Sequence, residues 1–281
     1  MVTWLERGGL RLGLVPELGG RLLSVSRDGV ELLWRNPALL GDDLVGEYAP
    51  NSGRLGDWVN YGGDKTWPAP QGWDGPDQWP GPPDPVLDSG PYALAVDGDT
   101  ATMTSAPDPR TGLRLTRAIT LLDDGYALRL TALNTADRPV RWALWNVTQL
   151  PGGGTVIAGL RRPDVVALVA GTGTPEYTVD GDRLVVPPQD VVGKLGVPGT
   201  SGWVSYGALT LSFDVDPAAE YPDEGSPLEI WLEHPLPAPL ASLGDLDPPA
   251  RIVELEVLGP LTRLEPGATT SLTIHAGIVR A

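Results

Sequence analysis

The stretch LRLTRAITLLDDGYALRLTAL, residues 113–133, decides the fold class. From Arg114 to Leu121 apolar and polar residues alternate, the period of two of a strand with one wet face. A second run, Tyr126–Leu133, follows Asp123-Asp124-Gly125, so the two read as an antiparallel hairpin. The same grammar recurs on both sides. Arg21–Ser26 and Val30–Trp34 flank Asp28-Gly29. Tyr92–Val96 and Thr100–Ser105 flank an Asp-Gly-Asp turn, and Tyr177–Val179 and Arg183–Val186 enclose another. Leu10–Val15, Val140–Leu150, Leu228–Glu233, Arg251–Leu258 and Ser271–Val279 read as further strands. With 36 glycines and 30 prolines, no window sustains a helical period. The expectation is all-β: one large antiparallel β-sandwich domain over residues 1–281.

One tract breaks this pattern. Residues 61–92, YGGDKTWPAPQGWDGPDQWPGPPDPVLDSGPY, hold Trp67, Trp73 and Trp79 among prolines, glycines and aspartates. Its proline density excludes helix and argues against a central strand, so the tract reads as a long loop. Such loops are often functional. Aromatic rings beside carboxylates and a lysine suit a sugar, whose apolar ring face stacks while charged groups take the hydroxyls. The alternative is a set of tryptophans that plug the end of a core.

Charge narrows the partners. The formal net charge is −16, a field that repels nucleic acid and anionic membranes. A neutral small molecule remains compatible, and phosphorylated substrates are disfavoured. There is no cysteine, hence no disulfide, thiolate nucleophile or Cys-based metal site. The N-terminus does not read as a secretion signal and no apolar run is long enough to span a bilayer. A cytoplasmic location is expected. No HExxH, EF-hand, P-loop or nucleophile-elbow pattern appears, so neither a metal nor a cofactor is expected.

Three motifs, in order, resemble the galactose mutarotase-like superfamily, which includes aldose 1-epimerases and hexose-phosphate mutarotases. Val15-Pro16-Glu17-Leu18-Gly19-Gly20-Arg21-Leu22 is similar to its opening strands. Leu133-Asn134-Thr135-Ala136-Asp137-Arg138-Pro139-Val140 resembles the strand-turn-strand that leads to its catalytic strand. Val253-Glu254-Leu255-Glu256 with Leu264-Glu265-Pro266-Gly267 resembles its closing hairpin. GGDKTWPAP together with Trp145-Asn146-Val147-Thr148-Gln149 is similar to a poorly characterised subgroup. The resemblance implies the supersandwich fold, a free sugar as ligand and anomer interconversion by a glutamate base and a histidine acid.

Glu254 stands where the resemblance places the base. Glu254 and Glu256 share a face if their strand is continuous, and like charges so placed raise one pKa; the alternative is that both face solvent. The histidine position is filled by Trp145, with Gln149 following on the same face; both can hold a sugar. The acid is left to His234, which follows a strand, or to Lys65, whose alternative role is an ion pair with Asp64. Arg21 and Asp64 are further sugar-ligand candidates, and Asp64 with Glu254 could form a hydrolase pair. His275 lies in an ordinary terminal strand. Two functions stay open: a mutarotase-like epimerase, or a sugar-binding module that has lost the acid.

Overall fold

The computed structural model describes residues 2–41, 43–44, 46, 59–72, 78–81 and 84–280. Among them two antiparallel sheets account for nearly all regular structure. The first runs in the order Thr3–Arg7, Leu10–Val15, Arg21–Arg27, Asp64–Ala69, Val140–Pro151, Ile252–Leu258, Leu228–Glu233, Gly193–Gly196 and Val166–Ala170. Val30–Glu31 and Thr262–Leu264 attach at its side. The second runs Thr178–Asp180, Arg183–Val186, Val156–Leu160, Thr200–Tyr206, Leu209–Phe213, Thr269–Ile278, Gly125–Asn134, Leu113–Leu121, Thr100–Thr104 and Ala93–Asp97. Helix is limited among the described residues to the turns Pro222–Gly225 and Ala241–Leu243, and none is long and apolar enough to cross a membrane.

The hairpin of residues 113–133 forms as its alternation requires. Leu121 pairs with Tyr126 and Leu113 with Asn134, and every second residue from Leu113 to Leu121 is buried. Leu115, Ile119, Leu128 and Leu130 share one buried cluster with Leu12, Leu22, Leu255 and Val257 of the other sheet. Each such side chain contributes roughly 1.5–3 kcal/mol on burial. The Asp28-Gly29 turn also forms, with φ of 52° and 84°, the conformation of a two-residue hairpin turn.

Two expectations change. The strand expected over Val30–Trp34 stops at Glu31. The Glu31 carboxylate accepts the amides of Val25, Leu32 and Leu33, while the Leu32 amide also keeps a backbone bond to the Val25 carbonyl, so side-chain bonds take over as the strand ends. The tract expected to exclude a central strand contains one, Asp64–Ala69, buried at every position. Gln149 donates its N–H to the Gly63 carbonyl, which directs the amides of odd-numbered residues toward Val140–Pro151. Pro68 therefore turns its nitrogen to the other side, where the neighbouring strand pairs only through Leu22 and Asp64. A proline costs no ladder bond at such an edge. Gly63, at φ 79°, makes the entry: a Cβ there would lie 2.6 Å from the Leu22 carbonyl oxygen.

Candidate functional site

Five neighbouring strands of the first sheet bring the candidate residues to one face. Val147 lies opposite both Lys65 and Glu256, and Gln149 opposite Glu254. Glu256 lies opposite Glu229, and Glu254 opposite Trp231; Trp231 in turn lies opposite Lys194. Opposed residues project to the same face, and alternation adds Trp67, Trp145 and Glu233 to it. The register is unbroken along these pairs, so Glu254 and Glu256 share a face.

The first group centres on Lys65 and Glu254. The Lys65 ammonium is 1 % exposed and 3.8 Å from Glu254 Oε1. It has no hydrogen-bond partner among the described residues, and sits 4.8 Å from the centre of the Trp67 ring. Burial lowers its pKa to about 8 against the opposing pull of Glu254. Gln149 donates its amide to Glu254 Oε1, leaving its own Oε1 buried and unpartnered. Glu233 Oε2 accepts the Trp231 indole N–H at 3.0 Å, while its Oε1 is buried without a partner. Burial, reinforced by the charge of Glu254, raises the Glu233 pKa to about 8. This corner sets the Glu254 carboxylate beside two groups that can donate a proton near neutrality, Lys65 and Glu233.

The raised pKa of Glu233 carries a stability prediction. Its folded value, about 8, exceeds the unfolded value of 4.5, so the folded state holds the extra proton between them. Stability from this group is full below pH 4.5 and declines as pH rises toward 8. Glu233→Gln is expected to flatten that decline in urea unfolding followed from pH 5 to 8. An unchanged slope would remove Glu233 as its source.

A second group lies two residues further along the same strand. Lys194 Nζ donates to Glu229 Oε2 and Glu256 Oε2, each at 2.8 Å, and Trp145 Nε1 donates to Glu256 Oε2 at 2.7 Å. Burial raises the pKa of both carboxylates despite Lys194. Burial alone would depress Lys194, but Glu229 and Glu256 outweigh it and hold it above its ordinary value.

The wall behind Lys65 is fixed from the loop. Arg21 and Asp88 form a fully buried pair at 2.6 Å, and Asp88 Oδ1 also accepts the Trp67 indole N–H at 3.1 Å. Gly19 allows this approach, since at φ 61° a Cβ would meet the Asp88 carbonyl oxygen at 1.9 Å. Trp67 packs edge-on to Trp145 with centroids 5.2 Å apart.

Several candidates named from the sequence lie elsewhere. Asp64 faces the opposite side, into the core between the sheets, where it accepts from Arg117, Asn146 and Thr148. It therefore neither pairs with Lys65 nor stands across a cleft from Glu254. Trp79 has no exposed surface; its indole donates to Asp84 at 2.8 Å and its ring packs on Trp67. It is a core residue rather than a platform. His234 lies just beyond the end of its strand, where its charge acts on Asp190 and not on Lys65 or Glu233. Arg21, a sugar-ligand candidate, is buried and paired with Asp88. Trp73 lies outside the described residues. Glu233, Glu229 and Lys194 escaped the sequence reading, although LEIWLE places Glu, Trp and Glu on one face of its strand.

An open depression of about 550 Å³ lies on the N-terminal hairpin beside Trp4, Arg11 and Glu31. Its charges are already matched, Arg11 by Glu6 and Arg35 by Glu31. None of its lining side chains has an unpartnered buried polar atom. The chemistry concentrates around Lys65 and Glu254.

Known proteins share this architecture. A galactose mutarotase-like protein from Lactobacillus casei superposes with a TM-score of 0.61 at 14% identity, covering 99% of this chain and 100% of that one. A galactose mutarotase-like protein from Clostridium acetobutylicum gives 0.56 at 11% identity, with 99% and 95% covered. A TPR-domain containing protein from Parabacteroides distasonis gives 0.63 at 16% identity, covering 98% of this chain and 46% of that longer one. At these identities the likeness shows the fold, a galactose mutarotase-like sandwich. No curated protein matches the chain. The model of a family described as Domain of unknown function (DUF4380) matches residues 3–275, and the chain belongs to that family.

Proposed function

We propose that this protein binds a free sugar at the Lys65–Glu254 corner and interconverts its anomers. The observation that carries the reading is the buried, unpartnered Lys65 ammonium 3.8 Å from the Glu254 carboxylate. The two atoms a mutarotase must address, the anomeric hydroxyl and the ring oxygen, are bonded to the same carbon. An acid and a base this close can reach both. Glu254 takes the proton of the anomeric hydroxyl as the carbonyl forms and the bond from C1 to the ring oxygen breaks. Lys65 gives a proton to that oxygen. After rotation about the C1–C2 bond the reverse transfers close the ring on the other face, returning both residues to their starting states. Gln149 orients Glu254, and Glu233, protonated at neutrality, donates to a ligand hydroxyl. Glu254, with its side chain 13 % exposed, supplies the route to solvent.

A second reading, a binding module without catalysis, draws on Trp145. This residue stands where the resemblance expects the acid, and its indole is spent on Glu256. Polarimetry of freshly dissolved galactose and glucose separates the two. Acceleration above buffer is expected, falling as pH rises through about 8, where Lys65 and Glu233 lose their protons. Binding by NMR titration without any acceleration would leave the module.

A further inference from the structure

We propose that Lys194, Glu229 and Glu256 form a second subsite that takes the distal hydroxyls of an uncharged sugar and rejects sugars bearing phosphate or carboxylate. The inference rests on the sugar-binding reading above and names the class of sugar.

Spacing comes first. Glu254 and Glu256 are two residues apart on one strand, about 7 Å along the chain. That step matches the span of one pyranose from its anomeric hydroxyl to the hydroxyls opposite. With the anomeric carbon at Glu254 and Lys65, the far side of the ring falls toward Glu256, whose carboxylate holds the Trp145 indole N–H. Lys194 closes this end, 4.8 Å from the Trp145 ring centre and 14 % exposed.

Unfilled hydrogen-bonding capacity comes second. Glu229 and Glu256 are both 0 % exposed. Each commits Oε2 to Lys194, and each keeps Oε1 buried with no partner among the described residues. A buried acceptor left unmade is costly, and two on adjacent strands suit a pair of hydroxyl donors. The Gln149 Oε1 atom is similarly unfilled.

Charge decides the class of ligand. Lys194 meets two carboxylates, and with Glu233 protonated at neutrality the face sets Glu229, Glu254 and Glu256 against Lys65 and Lys194. The nearby Arg21 is neutralised by Asp88. A phosphate or carboxylate brought here would be desolvated beside an excess of its own sign. A neutral sugar meets acceptors without that penalty. The site thus discriminates by repulsion as well as by contact.

The test compares glucose and galactose with glucose 6-phosphate and galacturonate on the wild-type protein, by NMR titration and by anomer exchange. The neutral sugars are expected to bind about tenfold or more tightly than the anionic ones. Equal or tighter binding of the anionic pair would overturn the subsite while leaving the sugar reading intact. Binding of neither class would overturn both. The double variant Glu229→Gln with Glu256→Gln leaves the Lys194 ammonium unneutralised. It is expected to gain glucose 6-phosphate binding by about tenfold and to lose affinity for glucose, which an unfolded protein cannot imitate. An unchanged preference in that folded variant would also overturn the proposal. Should the double variant fail to fold, Glu256→Gln alone is expected to narrow the preference for neutral sugar, and the wild-type comparison stands regardless.

Discussion

Glu254→Gln is expected to slow catalysed anomer exchange by about 100- to 10,000-fold, the range that a positioned acid or base contributes. The amide keeps the size of the carboxylate and can still accept from Gln149, so the change removes basicity with little change in shape. Lys65→Met, which preserves the buried stem and its packing against Trp67, should produce a loss in the same range. The two losses should not add. If one residue takes a proton while the other gives one in the same ring opening, removing either disables the step. The double variant is therefore expected to be no slower than the worse single one. Fully multiplicative losses would mean that the two residues act separately, and a Lys65→Met protein with wild-type exchange would exclude Lys65 as the acid. Glu233→Gln discriminates further. It retains a hydrogen-bond donor but cannot titrate, so catalysis should survive and still fall above pH 8 through Lys65.

Sequence and structure agree where information is local. The alternation of residues 113–121 specifies a strand with one wet face, and Asp123-Asp124-Gly125 returns the chain beside it. The pairing of Glu254 with Glu256 on one face follows from the same period, as does the alignment of Trp145 with Gln149. What was hidden depends on partners remote in the chain. The site assembles Lys65, Gln149, Lys194, Glu233 and Glu254 from five strands, and no spacing connects them. Lys194 lies on a four-residue strand between prolines and glycines, which carries no period. The Asp64–Ala69 strand was masked by composition, because whether Pro68 breaks a ladder depends on which side its nitrogen faces. That direction is a property of the neighbours. Trp79 and Trp67 share a tract and a residue type, yet only Trp67 lies beside Lys65; Trp79 is held in the core by Asp84. Composition indicated aromatic surface, whereas both rings are buried in one cluster.

The strand that presents Lys65 to one face anchors itself through Asp64 on the other, and this sets the second large effect. Arg117, on the strand Leu113–Leu121 of the opposite sheet, donates to both the carboxylate and the carbonyl of Asp64. Asn146 and Thr148 complete the carboxylate, at 2.7 and 2.6 Å. Arg117 and Asp64 are 0 % and 1 % exposed, so water does not screen them. Arg117→Met is expected to lower the unfolding free energy by roughly 3–5 kcal/mol, because it strands a carboxylate in the core. Adding Asp64→Asn removes that charge while keeping an oxygen for Asn146 and Thr148. The double variant should therefore be more stable than Arg117→Met alone, although it carries one more substitution. Urea unfolding of the wild type, both single variants and the double gives the coupling directly. A loss below about 1 kcal/mol for Arg117→Met would show that water or rearrangement satisfies Asp64. The same set tests whether the two faces are separable. If Arg117 acts only as an anchor, the folded fraction of Arg117→Met should retain the wild-type preference among sugars, with the loss confined to stability. A changed preference at full folding would mean that the Arg117–Asp64 pair sets the position of Lys65, and that core and site are one mechanical unit.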